Sequence, residues 1–126
     1  MAPPEPTCRI LLVDDRAENL MFVRDYLVSR GYEVATALSG PIALEQMADS
    51  PPHVVLLDLE MPEMSGIEVL QYMQRSESLS QIPVVVLSAH PRDEIAADCE
   101  AAGARGVLSK PIRLRVLLEL LVSLGF

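Results

Sequence analysis

The chain has 126 residues, with ten cationic and eighteen acidic side chains, so its formal net charge is −8. This length corresponds to one domain that buries about two-thirds of its extended-chain surface without a disulfide or a metal. Half of the residues are apolar, which excludes a disordered chain, and the negative charge argues against direct nucleic-acid binding. The sequence shows no signal peptide and no run of about 18 apolar residues, so we expect a soluble, cytoplasmic protein with no membrane partner.

Short apolar runs alternate with longer amphipathic stretches, a pattern that predicts βα units and a parallel sheet. The predicted strands are residues 9–13, 33–37, 53–57, 83–88 and 106–109, and the predicted helices are residues 17–30, 41–48, 66–75, 92–102 and 112–124. The first, third and fourth strands are continuous in Val, Leu and Ile, as is typical of strands covered on both faces. We therefore expect one domain, residues 8–126, after a flexible proline-rich arm, residues 1–7.

Polar side chains stand at the carboxyl ends of four predicted strands. Asp14 and Asp15 follow the first strand, Asp58 follows the third, Ser88 closes the fourth, and Lys110 comes just after the fifth. In open parallel sheets, ligands bind at this edge. Asp15 alone has a second interpretation, as the N-cap of the next helix, whereas no predicted helix begins at Asp58. The combination predicts a binding site.

Three carboxylates at neighbouring strand ends would repel one another by about 3 kcal/mol per pair, taking ~5 Å and an effective dielectric of ~20. Protonation of one carboxyl, placement of Lys110 among them, or a bound divalent cation would each offset this repulsion. Oxygen ligands without a neighbouring His or Cys fit Mg²⁺. A Ser-His-Asp hydrolase site is disfavoured because Ser88 lies in no G-x-S-x-G turn.

Four motifs, in chain order, carry a resemblance to a known family. They are VDD at residues 13–15, DLEMPEMSG at 58–66, LSA at 87–89 and SKP at 109–111. With them, the chain resembles a response-regulator receiver domain of two-component phosphorelay systems over nearly its whole length. The resemblance implies an α/β, flavodoxin-like (βα)5 fold, a doubly wound parallel sheet with strand order 2-1-3-4-5 in a single domain.

The resemblance also implies roles for individual residues. Asp58 would be the phosphoacceptor, Lys110 would pair with the phosphoryl group, and Ser88 would donate a hydrogen bond to one of its oxygens. Mg²⁺, or Mn²⁺ in its place, would be held by Asp15, Asp58, the backbone carbonyl of Glu60 and, through water, Asp14. The side chain of Glu60 would face solvent or influence metal binding and dephosphorylation. The Lys110-Pro111 bond is expected to be cis.

Ser88 and two further residues, Ala89 and Val107, bear on how the domain would switch. Ser88 and Ala89 would move toward the phosphoryl group and change the surface made by helix 4, strand 5 and helix 5. Receivers commonly carry Tyr or Phe three residues before the lysine, where this chain has Val107. A valine cannot alternate between exposed and buried aromatic rotamers, so we expect phosphorylation to be retained and the usual aromatic coupling to be absent.

The resemblance implies a histidine kinase or a histidine phosphotransfer protein as partner. The chain would be a phosphoacceptor switch, not an enzyme, that assists its own phosphorylation and slow dephosphorylation. From Ile112 to Leu124, nine of thirteen residues are apolar. They cover an arc of about 240°, more than one core-facing stripe needs. The surplus suggests a homodimer or effector contact through helix 5, with scattered exposed leucines as the alternative.

Two other functions remain open from the sequence. A haloacid-dehalogenase-type phosphatase also phosphorylates an aspartate beside Mg²⁺, but it needs D-x-D on the first strand, where this chain has Asp14-Asp15. A receiver-shaped binding module that does not use phosphate is made conceivable by Val107. A flavodoxin-like cofactor protein fits less well, because no hydroxyl- and glycine-rich phosphate loop follows the first strand.

Overall fold

The computed structural model describes residues 7–89 and 92–126, with only the backbone described for residues 92–95. The predicted proline-rich arm therefore lies outside the described residues except for Thr7.

The described residues form a five-stranded parallel sheet whose strands alternate with helices. The strands are β1 (Arg9–Val13), β2 (Glu33–Ala37), β3 (Val54–Asp58), β4 (Val84–Ser88) and β5 (Gly106–Ser109). The α-helices are α1 (Ala17–Ser29), α2 (Gly40–Asp49), α3 (Gly66–Arg75), α4 (Arg92–Ala101) and α5 (Leu114–Ser123). The strand order is β2-β1-β3-β4-β5, which confirms the predicted flavodoxin-like α/β fold in a single domain.

Two apolar layers cover the two faces of the sheet because alternate strand residues point to opposite sides. On one face, α1 and α5 pack their buried leucines against β1, β3 and β4. On the other face, α2, α3 and α4 pack against the intervening residues of the same strands. All five residues of β3 and all five of β4 are buried, as the continuous apolar runs predict. These central strands hold the site residues in a rigid frame.

Several predicted boundaries shift by one or two residues. β3 begins at Val54 and includes Asp58, which the sequence interpretation placed just after the strand. α5 begins at Leu114, not at Ile112, because Arg113 has an extended backbone and occupies the N-cap position. A short 3-10 helix at Leu79–Gln81 was not predicted. Gly31 and Gly103 adopt positive φ after α1 and α4, as expected of residues that end helices.

Helix α5 uses more of its apolar surface inside the domain than the sequence suggests. Leu114, Leu120 and Leu124 pack against the core formed around Leu117 and Leu121. The large apolar side chains of this helix that stay well exposed are Val116, at 42%, and Val122, at 61%. The apolar surface that α5 leaves exposed is therefore smaller than the predicted arc of about 240° implies. None of the helices in the described ranges has the length and apolar character needed to cross a bilayer.

Candidate functional site

Three carboxylates meet at the carboxyl end of the sheet. β1 and β3 are neighbours with Val13 opposite Leu57, so Asp14 and Asp58 follow at the same level. One oxygen from each of Asp14, Asp15 and Asp58 lies within 4.8 Å of the others. The sheet order therefore brings together the acids that the sequence places at separate strand ends.

The three acids differ in burial and in what holds them. Asp58 is 1% exposed and Asp14 is 5% exposed, whereas Asp15 is exposed. The Oδ1 atom of Asp14 accepts a hydrogen bond from the backbone N–H of Arg16 at 2.9 Å. Arg16, not Asp15, occupies the N-cap position of α1, so the N-cap interpretation of Asp15 is wrong. Asp15 is left facing the mouth of the site.

The acidic cluster matches the ligand preferences of a hard divalent cation. All of the atoms that it offers to a metal are carboxylate oxygens. Two of the three acids are buried, where an unbalanced negative charge is unfavourable. Mg²⁺ and Mn²⁺ favour such oxygen ligands and complete their coordination with water and phosphate oxygens. The residues present therefore fit a divalent metal centre.

Lys110, the one lysine of the sequence, brings its ammonium group into the cluster. Its Nζ atom donates a hydrogen bond to Oδ1 of Asp58 at 2.7 Å and lies 4.0 Å from Oδ2 of Asp14. The backbone N–H of Lys110 bonds to the carbonyl of Ser88 at 2.7 Å, and the Lys110-Pro111 peptide bond is cis, as predicted. The structure therefore shows one of the three ways to offset the carboxylate repulsion, which is the placement of Lys110 among the acids. A single ammonium group balances only part of three negative charges.

Burial dominates the ionisation of Asp58. Removal from water raises the pKa of Asp58, the hydrogen bond from Lys110 lowers it and the charge of Asp14 raises it, and the net result is a rise from 3.8 to about 6. A nearby cation would favour the ionised carboxylate. A buried carboxylate with a raised pKa beside a lysine, at the edge of a parallel sheet, is a candidate functional group.

The loop after β3 places Glu60 over the end of β4. Oε1 of Glu60 accepts a hydrogen bond from the hydroxyl of Ser88 at 2.9 Å and another from the backbone N–H of Ala89 at 3.1 Å. The family resemblance predicts a metal-binding role for the backbone carbonyl of Glu60, but it does not predict these two hydrogen bonds of its side chain. One feature of the sequence does point to this contact. Glu60 comes two residues after the third strand, which neighbours the strand that ends in Ser88.

Gly66 allows this loop to return close to the strand end. Its backbone N–H bonds to the carbonyl of Leu59 at 2.9 Å, and a Cβ atom at this position would lie 2.5 Å from the carbonyl oxygen of Asp58. Ser65 and Glu68 form a capping box that starts α3 at this point. The close approach therefore requires glycine at position 66.

Val107 lies in the core and not at the site edge. It is 7% exposed, pairs with Val86 across β4 and β5, and belongs to the apolar cluster on the α2, α3 and α4 face. Its side chain contributes to the packing of that face.

Comparison with known proteins indicates the family that the motifs suggest. The model of the response regulator receiver domain matches residues 10–122. Sensory/regulatory protein RpfC of Xanthomonas campestris pv. campestris is 35% identical over 119 residues, which are 93% of this chain and 16% of RpfC. The polar-differentiation response regulator DivK of Brucella ovis is 30% identical over 117 residues, which are 93% of this chain and 95% of DivK.

A solved structure has the same architecture. The chemotaxis response regulator CheY4 of Vibrio cholerae superposes with a TM-score of 0.87 at 30% identity, covering 94% of this chain and 98% of that one. The chain thus spans a small part of RpfC and nearly all of DivK and CheY4. The receiver match also favours this family over a haloacid-dehalogenase-type phosphatase. The chain belongs to the response regulator receiver domain family.

Proposed function

We propose that this receiver domain accepts a phosphoryl group on Asp58 from a histidine kinase or a histidine phosphotransfer protein, in the cytoplasm and with the help of Mg²⁺. Receiver domains are phosphoacceptor switches of two-component signalling and not classical enzymes, and they interact with such kinases or phosphotransfer proteins. The observation that carries the proposal is the buried Asp58 carboxylate, 2.7 Å from Lys110 and beside two further carboxylates.

Asp58 is proposed to act as the nucleophile. One of its carboxylate oxygens forms a bond to phosphorus while the P–N bond of the phosphohistidine breaks, and its electron pair stays on the imidazole. The imidazole leaves as the neutral base with a proton on its other nitrogen. Lys110, already bonded to Oδ1 of Asp58, is placed to stabilise the negative charge of the transferring group. Water later attacks phosphorus, the bond to Asp58 breaks, and inorganic phosphate leaves.

The metal would be held by this chain's oxygen atoms. Receiver domains generally bind Mg²⁺ at an acidic pocket, and this chain has an aspartate cluster that fits one. We propose Asp15, Asp58, the backbone carbonyl of Glu60 and, through water, Asp14 as the groups that hold Mg²⁺ or Mn²⁺. When bound, the cation neutralises charge on the phosphoryl oxygens.

The switch is proposed to run through Ser88 and Ala89 to the surface of α4, β5 and α5. The Ser88 hydroxyl and the Ala89 backbone N–H are hydrogen-bond donors at the carboxyl end of β4. Val107 is fixed in the core, so the output depends on movement of the Ser88 loop and not on an aromatic rotamer. Val116 and Val122 are exposed apolar residues of α5, which a homodimer or effector contact through this helix would cover.

Phosphoryl transfer from acetyl phosphate tests the proposal directly. Wild-type protein with Mg²⁺ is expected to gain one phosphoryl group that hydroxylamine removes, whereas Asp58→Asn gains none. Asp25→Asn, which changes an exposed aspartate on α1, is the matched control and should behave like wild type. Intact-mass spectrometry gives the readout. An unmodified wild type would contradict the proposal and favour the phosphate-independent binding module, and equal modification of Asp58→Asn would remove Asp58 from its role.

A further inference from the structure

We propose that the side chain of Glu60 is an internal competitor for the phosphoryl group. Its carboxylate occupies the two donors, Ser88 and Ala89, that a phosphoryl oxygen would use, and it must leave them before the phosphorylated state can form. The inference rests on the proposed function of Asp58.

The contact has the geometry of an anion-binding site that already contains an anion. A single oxygen, Oε1 of Glu60, accepts from the Ser88 hydroxyl at 2.9 Å and from the Ala89 backbone N–H at 3.1 Å. Hydrogen bonds to an ionised acceptor are stronger than bonds between neutral groups. Ser88 is 1% exposed, so bulk water competes poorly for its hydroxyl. The two donors are therefore held by a charged group of the protein itself.

The fold directs Glu60 toward these donors. β3 and β4 are paired, and one further hydrogen bond, from the Leu59 N–H to the Leu87 carbonyl at 3.0 Å, continues the ladder beyond Asp58. Leu59 and Met61, on either side of Glu60, are 6% and 8% exposed and belong to the core. Because the flanking residues are anchored, the backbone at Glu60 is fixed beside the end of β4.

Only one anion can hold these donors at a time. Lys110 is committed to Asp58 at 2.7 Å, so it serves the reacting carboxylate and the oxygens close to it. A phosphoryl group on Asp58 would bring a dianion next to the Glu60 carboxylate, and like charges in a poorly solvated site repel strongly. Because Glu60 must leave first, the site binds a phosphoryl group more weakly than it would without this side chain. The apparent affinity is the intrinsic affinity multiplied by the fraction of molecules in which Glu60 does not occupy the two donors.

The first measurement needs neither metal nor phosphate. Amide hydrogen exchange of Ala89 is measured by NMR in metal-free wild type, Glu60→Ala and Glu63→Ala. Glu63 lies in the same loop, is exposed, and loses the same atoms and the same charge in its alanine variant, so it controls for net charge. We expect faster exchange at Ala89 in Glu60→Ala only. Unchanged exchange would mean that the hydrogen bond does not form in solution and would overturn the proposal.

The second measurement tests competition with beryllium trifluoride, a non-covalent analogue of the phosphoryl group, titrated calorimetrically at saturating Mg²⁺. Glu60→Ala is expected to bind about tenfold tighter than wild type, corresponding to about 1.4 kcal/mol. Glu63→Ala should match wild type. Glu60→Gln keeps an acceptor oxygen and loses the charge, so its affinity for the analogue should lie between those of wild type and Glu60→Ala. It serves as the test variant if the Glu60→Ala protein does not fold.

The outcomes separate this inference from the proposed function. Equal affinity of wild type, Glu60→Ala and Glu63→Ala, with normal acetyl phosphate uptake, overturns the competition and leaves Asp58 as phosphoacceptor. Tighter binding in Glu63→Ala as well reduces the effect to net charge and also overturns it. Failure of every variant to bind the analogue and to take up a phosphoryl group contradicts both. Tighter binding in Glu60→Ala alone, together with phosphoryl uptake by wild type, supports both.

Discussion

The two ends of the central sheet handle polar groups in different ways. At the amino end, the N–H of Arg9 bonds to Nδ1 of the exposed His53 at 2.8 Å, and the Tyr32 hydroxyl bonds to the Phe126 carbonyl at 3.0 Å. At the carboxyl end lie Asp14, Asp58 and Ser88, which are all of the buried polar residues in the described part of the chain.

The difference shows where the domain gives up stability. The same strands end in partly solvated hydrogen bonds on one side and in buried like charges on the other. Buried carboxylates are unfavourable unless they are paired, and Lys110 compensates only in part. The apolar layers on both faces make this arrangement tolerable. Substitutions at the carboxyl end should therefore change stability and binding together, whereas those at the amino end should change neither much.

The largest effect is expected from Gly66→Ala. The new Cβ would lie 2.5 Å from the Asp58 carbonyl oxygen, a backbone atom that cannot move without shifting the site. We expect a loss of about 3 kcal/mol, typical of severe overpacking, in urea denaturation. Gly106→Ala is the control, because its Cβ would meet the flexible end of Leu120 at 3.0 Å. An equal loss in the two variants would contradict the interpretation.

Asp58→Asn is expected to stabilise the fold in a pH-dependent way. Folding raises the pKa of Asp58 from 3.8 to about 6, so the folded protein binds this proton more tightly than the unfolded chain does. The stability contributed by the protonated carboxyl is present below pH 3.8 and is lost as the pH rises through 6.

Asparagine mimics the protonated form, so the variant should exceed wild type by at most about 3 kcal/mol at neutral pH, the free energy that corresponds to a pKa raised from 3.8 to about 6. Chemical denaturation in a chelating buffer from pH 3.5 to 8 measures the difference, which should shrink toward zero at the acidic end. Asp49→Asn, an exposed aspartate at the end of α2, is the control. A difference that is independent of pH would contradict the assigned cause.

Mg²⁺ is expected to stabilise the wild-type fold by relieving the same repulsion. At about ten times its dissociation constant, the ion should add about 1.4 kcal/mol and raise the melting temperature by several degrees. Asp15→Ala should abolish the increase, whereas Asp25→Ala, on the exposed side of α1, should keep it. A wild type whose melting temperature does not respond to Mg²⁺ would count against the metal site.

The smallest effect is expected at the amino end. His53→Ala removes the acceptor of the Arg9 N–H, but water can replace it because His53 is exposed. We expect a loss of about 0.5 kcal/mol, the low end for a single hydrogen bond, and an unchanged rate of phosphoryl uptake. A large loss of uptake would mean that the two ends of the sheet are coupled.

Much of this architecture could be predicted from local sequence. The continuous apolar runs of β1, β3 and β4 predict strands covered on both faces, and the structure confirms them. Once these strands are central and parallel, Asp14 and Asp58 have to end at the same edge. Gly31 and Gly103 mark helix ends for the same local reason, since each adopts a positive φ.

Other features depend on contacts between distant segments. Glu60 and Ser88 are 28 residues apart, and the bond between them requires both the strand pairing and the return of the loop at Gly66. The pKa of Asp58 depends on burial by the whole fold. Helix α5 was predicted to start too early because the backbone at Arg113 is extended, although its side-chain pattern suits a helix. Periodicity carries no information on such contacts.

Lys110 also gives the protein a chemical handle. It is the one lysine among ten cationic residues, so its side chain is the single target in the sequence for reagents that acylate ε-amino groups. The amine can react only after it gives up a proton and its bond to Asp58, and its side chain is 24% exposed. Its labelling rate would therefore follow any event that changes the charge on Asp58, and acylation of this one side chain, located by peptide mapping, would report the state of the site without an engineered probe.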